Sequence, residues 1–190
     1  MKVTAFNGSA RKNGNTATLI GHVLEMIEEN GIETEHVQLA GSHLKGCIAC
    51  YKCFENKDRR CSVKDDYLNE ALEKMVDSDG IILGSPTYFA NVSSNTKSLI
   101  DRAGLVAKAN NDMFARKAGA AVVAVRRAGA IPAFDAINHF FLISGMIVPG
   151  SSYWNIGIGM NPGDAAGDAE GVQTMRNLGA NMAWLLERIR

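Results

Sequence analysis

Val3-Thr4-Ala5-Phe6-Asn7 is a short, mostly apolar run that stops at Gly8-Ser9-Ala10-Arg11-Lys12-Asn13-Gly14-Asn15-Thr16; beyond it Leu19, Ile20, Val23, Leu24 and Ile27 recur at helical spacing. The first run predicts a strand over 3–7 and the second an amphipathic helix over 16–29, with Gly31 where a helix C-terminal cap belongs. A strand that enters a helix through a loop rich in glycine, hydroxyl and amide groups is the opening half of a βαβ unit.

The alternation continues outward from this unit. Residues 33–39 alternate weakly and predict a second strand, whereas 40–64 is polar, cysteine-bearing and aperiodic, the marks of a functional loop. Asp65-Asp66 reads as the cap of a helix to about residue 76, with Leu68, Leu72, Met75 and Val76 on one face. Residues 80–84 and 118–125 are continuous apolar runs, as strands buried on both faces should be. Helices are predicted over 92–109, from Pro132 to 143, and over 170–190, and Met146-Ile147-Val148 reads as a short last strand. Five strands separated by helices predict an α/β fold: a flavodoxin-like, doubly wound five-stranded parallel sheet with helices on both faces. Its ligand is expected beyond the carboxyl ends of the strands. Residues 1–190 read as one domain carrying a cysteine-bearing insertion loop at about 40–64.

Composition narrows the function classes. A chain of 190 residues is long enough to bury roughly 70% of its unfolded surface, so neither disulfides nor metal are needed merely to fold it. Twenty basic residues balance twenty acidic ones, and no basic patch stands out, which argues against nucleic acid and against a membrane surface as partners. No stretch has the roughly 18 apolar residues that span a bilayer. The N-terminus enters a strand directly, without a signal-peptide pattern, so a cytoplasmic location is expected. A net charge of zero is permissive of self-association.

Residues 8–16 gather two glycines, two hydroxyls, two asparagines and two cations at a helix N-terminus, where unpaired N–H groups and the helix dipole favour an anion. The pattern is neither G-x-G-x-x-G nor G-x-x-x-x-G-K-[ST], so a terminal phosphomonoester suits it better than a dinucleotide or a triphosphate. The plain alternative is a surface loop with a helix cap.

All four cysteines, Cys47, Cys50, Cys53 and Cys61, lie in one C-x2-C-x2-C-x7-C pattern. Four thiolates so spaced suit a cubane iron–sulfur cluster or a zinc site. Free thiols and reversible disulfides are the competing readings. Lys45, Lys52, Lys57, Arg59 and Arg60 nearby would favour thiolates or an anionic cluster, or simply form a solvated face.

Two segments at the ends of the expected strands resemble one family. Residues 8–16 look like the phosphate loop of the NADPH-dependent FMN reductase and iron–sulfur flavoprotein group. Ser85-Pro86-Thr87-Tyr88-Phe89, with Lys97 and Asp101-Arg102, looks like its second FMN motif. The likeness runs over essentially the whole chain, although the family usually has proline where Ala10 stands. It implies FMN as cofactor, with Ser9, Arg11, Asn15 and Thr16, and Asn13 among them, at the phosphate. It implies Pro86, Thr87, Tyr88, Phe89 and Asn91 around the isoalloxazine, the amides of residues 87–89 near its pyrimidine edge, and Arg126 and Gly129 at the ring or the adjoining pocket. It also implies a [4Fe-4S] cluster on the four cysteines, NAD(P)H or a reduced, ferredoxin-like carrier as electron donor, and a homodimer or homotetramer. The expected activity is an oxidoreductase passing electrons to a quinone, a flavin or another small acceptor. A non-enzymatic electron carrier and a redox-sensing binding protein are the rivals. No acid–base residue is assigned. His22 and His36 read as structural, His43 and His139 as residues that could face a pocket, Trp154 and Asn155 as neighbours of the flavin or of a subunit interface, and the glycine-rich residues 157–171 as a mobile lid.

Overall fold

The computed structural model describes residues 1–41 and 43–189. Five parallel strands, β1 (Lys2–Asn7), β2 (Glu33–Gln38), β3 (Gly80–Pro86), β4 (Ala118–Val125) and β5 (Ile156–Ile158), lie in the order β2-β1-β3-β4-β5. This is the flavodoxin-like order, with its switch point between β1 and β3. Helices α1 (Asn15–Glu29) and α6 (Ala169–Ile189) cover one face. Helices α3 (Leu68–Asp77), α4 (Ser94–Ala109) and α5 (Ile131–Ile143) cover the other, and a short α2 (Lys52–Asn56) lies in the cysteine loop.

The strands read as unbroken apolar runs because each feeds two cores. Along β4, Ala121, Val123 and Val125 join Leu99, Val106, Ile137 and Phe141 on one side. Ala118, Ala120, Val122 and Ala124 join Leu19, Val23, Met175 and Leu178 on the other. The period-two alternation of a strand therefore sends apolar groups both ways, and no polar position remains. Helices α1 and α6 pack closely enough that a Cβ on Gly179 would lie 2.4 Å from the carbonyl oxygen of Val23.

The last strand differs from the prediction. Met146-Ile147-Val148 makes only a single bridge, Ile147 to Ala118, at the start of β4. Pro149 follows with no N–H to extend a ladder, the chain swings out, and β5 forms at Ile156–Ile158 against Val123–Val125. Trp154 and Asn155 thus precede β5 instead of following it. Residues 157–171 are pinned, not an open lid. Asp164 accepts the N–H groups of Met160 and Asn161, Asp168 accepts those of Ile158 and Gly171, and a 3-10 turn (Asp164–Gly167) closes the segment. Among the described residues no helix is long and apolar enough to cross a membrane. Ser42 of the predicted loop and Arg190 of the predicted closing helix lie outside the described residues.

Candidate functional site

The loop after β1 is folded by its own amides. Asn7 Oδ1 accepts the Ser9 N–H at 3.0 Å, its Nδ2 donates to Gln38 Oε1 at 2.9 Å, and Gln38 Nε2 donates to the Ser9 carbonyl at 2.6 Å. Ser9 Oγ accepts the Arg11 N–H at 3.1 Å, so its own proton remains to be given. Helix α1 begins after Gly14, which has no capping side chain, and no acidic residue occupies the first turn. Its leading N–H groups are therefore available to an anion. Thr16 is 1% exposed and its Oγ1 has no partner among the described residues. A buried hydroxyl left without a hydrogen bond is costly, and a phosphate oxygen would satisfy it.

Helix α4 braces this loop. A Cβ on Gly8 would stand 1.9 Å from Thr96 Oγ1, so only glycine fits where the loop meets the helix N-terminus. The α4 N-cap, Ser93, accepts the Thr96 N–H, donates its Oγ to the Gly8 carbonyl at 2.7 Å, and bonds through its own N–H to Ser85 Oγ at 2.9 Å. The ends of β1 and β3 are thereby tied to one helix terminus.

Between these strand ends lies a cavity of about 200 Å³. The structure brings Ser9, Arg11, Asn15, Thr16, Pro86, Thr87, Tyr88 and Arg126 to its wall. Thr87 Oγ1 is a second buried hydroxyl without a partner. Asn15 is already engaged on one side, since its Oδ1 accepts the Ala165 N–H at 3.2 Å. Asn13 is exposed and does not line the cavity. The sequence reading missed Gly159, Met160, Ala124 and Val125, which also line it. Their position at strand C-terminal ends is the signal that could have found them. Among the described residues no histidine or carboxylate is on the wall.

Residues 88–91 form a tight turn in which Tyr88 and Asn91 exchange backbone hydrogen bonds at 2.9 and 3.1 Å. Its central residues, Phe89 and Ala90, have φ of 47° and 58°, values that Asn-Gly adopts far more easily. Phe89 stands fully exposed at the tip and Asn91 is exposed, and neither lines the cavity. Gly129, with φ of 83°, is set back from the cavity under this turn, where a Cβ would meet that of Ala90 at 3.3 Å. The Thr87 N–H donates to the Ala124 carbonyl at 2.8 Å and the Tyr88 N–H is used within the turn. Of the three amides expected to face a ring, only that of Phe89 lacks a protein acceptor among the described residues.

The four cysteines line a second, smaller hollow between their loop and α4. Among the described residues no three histidine, cysteine, aspartate or glutamate groups are arranged to hold a single metal ion. The loop backbone is unusual: Ala49 and Tyr51, between successive cysteines, have φ of 50° and 54°. Left-handed residues alternating along such a loop turn N–H groups inward, the backbone concavity in which anions and iron–sulfur groups sit; the Ala49 N–H reaches Cys47 Sγ at 3.5 Å. The Ser62 hydroxyl, 3.2 Å from Cys50 Sγ, lowers that thiol's pKa, and burial raises that of Cys53. Beneath the hollow Arg102 and Asp66 form an ion pair with side chains 1% and 0% exposed. Asp66 accepts the Leu68 N–H at 3.2 Å, but the expected Asp65-Asp66 cap is not formed: α3 starts after Tyr67 with no capping side chain, and Asp65 pairs with Lys45. Burial pushes the Asp66 carboxyl upward, but the Arg102 guanidinium and the N–H groups of Lys45 and Leu68 outweigh this and hold it below the usual carboxylate range. Arg102, read from sequence as the end of an FMN motif, belongs to the cysteine hollow, while Asp101 pairs with Lys97 outside.

Three comparisons bear on this arrangement. The family model described as NADPH-dependent FMN reductase matches residues 1–161. An iron–sulfur flavoprotein of Methanocaldococcus jannaschii is 41% identical over 196 residues, covering all of both chains. One of Methanosarcina thermophila is 35% identical over 192 residues, covering 100% of this chain and 97% of its own. Among solved structures, a flavodoxin, WrbA-like protein from Agrobacterium tumefaciens superposes with a TM-score of 0.68 at 13% identity, covering 100% of this chain and 98% of that one. This last likeness speaks for the fold alone.

Proposed function

Because the chain belongs to the NADPH-dependent FMN reductase family, we propose that it is an FMN-dependent oxidoreductase. In this reading it takes electrons from NAD(P)H or a reduced carrier and delivers them to a quinone, a flavin or another acceptor, with a [4Fe-4S] cluster on Cys47, Cys50, Cys53 and Cys61. The observation that carries the reading is the cavity at the switch point, where an uncapped helix N-terminus meets the unpartnered hydroxyls of Thr16 and Thr87. FMN bound there supplies one- and two-electron chemistry, and the cluster supplies one-electron chemistry.

The chain's own contribution is to bind, charge and orient. Ser9 and Thr16 donate to the phosphate together with the first-turn N–H groups of α1, and Arg11 and Arg126 add positive charge at the rim. Thr87 and Tyr88 border the ring. A wall without histidine or carboxylate suits chemistry in which the cofactor carries the reacting atoms. We read the chain as a cytoplasmic homodimer or homotetramer. The exposed apolar side chains of Phe89, Leu142, Ile143, Tyr153, Trp154 and Trp184 support a partner surface on each copy.

The test is an absorption spectrum of protein purified without oxygen, with iron and acid-labile sulfide assayed on the same sample. Flavin bands with about four irons per chain are expected. Flavin without iron would remove the cluster, and no flavin after reconstitution would remove the whole reading. Turnover of NAD(P)H with a small acceptor separates the enzyme from a carrier that is merely reduced by a partner protein.

A further inference from the structure

We propose that Arg102 is the positioning residue of the cysteine hollow: one buried guanidinium, its charge balanced by Asp66, fastens both ends of the cysteine loop and donates a hydrogen bond to one of the thiolates that would hold the cluster. The inference rests on the cluster reading above.

Its basis is how the fork of the guanidinium is divided. Nη1 donates to the Lys45 carbonyl at 3.0 Å and to Asp66 Oδ2. Nη2 shares its two N–H groups among three acceptors, the Val63 carbonyl at 3.2 Å, Asp66 Oδ1 at 3.2 Å and Cys61 Sγ at 3.4 Å. Lys45 lies just before Cys47 and Val63 just after Cys61, so a single side chain on α4 clamps the loop at both feet and touches one of its sulfurs. The side chain lines the same hollow as the four cysteines. Its Nε–H is buried and has no partner.

Stability alone gives little reason for this arrangement. A buried ion pair is commonly no better than the apolar groups that would replace it, because both charges lose their hydration. A thiolate-ligated cluster is an anion whose negative charge grows on reduction, and cluster potentials respond to nearby charge and to hydrogen bonds at sulfur. Arginine meets both needs with one planar fork. Lysine, a point charge on a flexible stem, can keep the pair with Asp66 but cannot span Lys45, Val63 and Cys61 together.

The experiment uses the full chain loaded anaerobically with FMN, iron and sulfide, and compares wild type with Arg102→Lys and with the charge-balanced double variant Arg102→Met/Asp66→Asn. Three quantities are read: FMN affinity, the rate of iron loss to a chelator, and the midpoint potential of the cluster. FMN affinity is expected to hold in both variants, because Arg102 does not line the flavin cavity. Arg102→Lys should lose iron faster, on the scale of the roughly 10–100-fold that removal of an outer-shell partner costs in metal affinity, with its potential near that of wild type. The double variant should also lose iron faster, and its potential should move negative because the hydrogen bond to Cys61 Sγ is lost while the net charge of the pair is unchanged. Wild-type iron retention in Arg102→Lys would overturn the proposal and leave the cluster reading intact. A loss of FMN affinity in parallel with the loss of iron would also overturn it, since Arg102 would then act through the fold as a whole. A wild-type chain that binds FMN but never takes up iron would overturn the cluster reading itself, and this role with it.

Discussion

Replacing Thr16 by valine should move two measurements in opposite directions. The hydroxyl is buried in the first turn of α1 with no partner among the described residues, and the methyl beside it packs where Gly84 leaves room. Without ligand, the hydroxyl has forfeited its hydration for nothing. Valine keeps the shape and removes the orphan, so the flavin-free protein should gain up to about 1 kcal/mol against urea. With FMN bound, the same hydroxyl donates to a charged oxygen, an interaction worth roughly 1.5–3 kcal/mol. Its loss should therefore weaken FMN binding about ten- to hundredfold, at roughly 1.4 kcal/mol per factor of ten. The affinity is read by quenching of flavin fluorescence on titration of the apoprotein, and the stability by urea denaturation of the same preparation. An unchanged affinity would place the phosphate elsewhere. A less stable apoprotein would mean that the hydroxyl is satisfied within the protein, and the reasoning from its isolation would fail.

Gly8→Ala should cost about 1–3 kcal/mol of stability by forcing a methyl into Thr96; because it pushes α4 off the phosphate loop, it should also weaken FMN binding in the same titration. Changing Phe89-Ala90 to Asn-Gly should raise the unfolding free energy by about 1 kcal/mol or more, seen as a higher urea midpoint, because two left-handed positions would no longer carry unsuited side chains; an unchanged or lower midpoint would refute the strain. Lys2, and next Lys74, hydrogen-bond the Glu35 carboxylate and hold its pKa below the usual value. The stabilisation this gives is present above about pH 4.3 and is lost as the pH falls through the lowered folded-state pKa. Glu35→Gln should therefore flatten the acid limb of a plot of urea midpoint against pH, and a limb as steep as wild type would count against the assignment.

Much of the fold could be read from the sequence because a sheet covered on both faces writes itself as apolar runs, and 118–125 is the clearest of them. The last strand could not. Ile156-Gly157-Ile158 is too short, and is broken by a central glycine, to stand out beside the more apolar Met146-Ile147-Val148, and only Pro149 hints that the ladder is interrupted. At the candidate site, the helix-opening loop over residues 8–16 and the cysteine spacing were legible because they are local in sequence. What escaped notice was long-range or conformational. Asp66 before a helix reads as a cap, and nothing in the sequence signals that its carboxylate meets Arg102 from the next helix. Phe89, Ala90, Ala49 and Tyr51 carry no mark of the left-handed backbone they adopt, since residue type signals that region mainly through glycine and asparagine.

Helix α4 touches both candidate sites, the phosphate loop through its cap at Ser93 and the cysteine loop through Arg102. The axial step between those two contacts is roughly 14 Å at 1.5 Å per residue. The helix is therefore a ruler: it fixes the offset between the two loops without a hinge, and domain motion is not needed to bring them into range. Inserting one residue between Ser93 and Arg102 would rotate Arg102 by about 100° off its face as well as moving it along the axis. The gauge can therefore be lengthened only by whole turns, and the offset between the two loops is quantised by the pitch of a single helix.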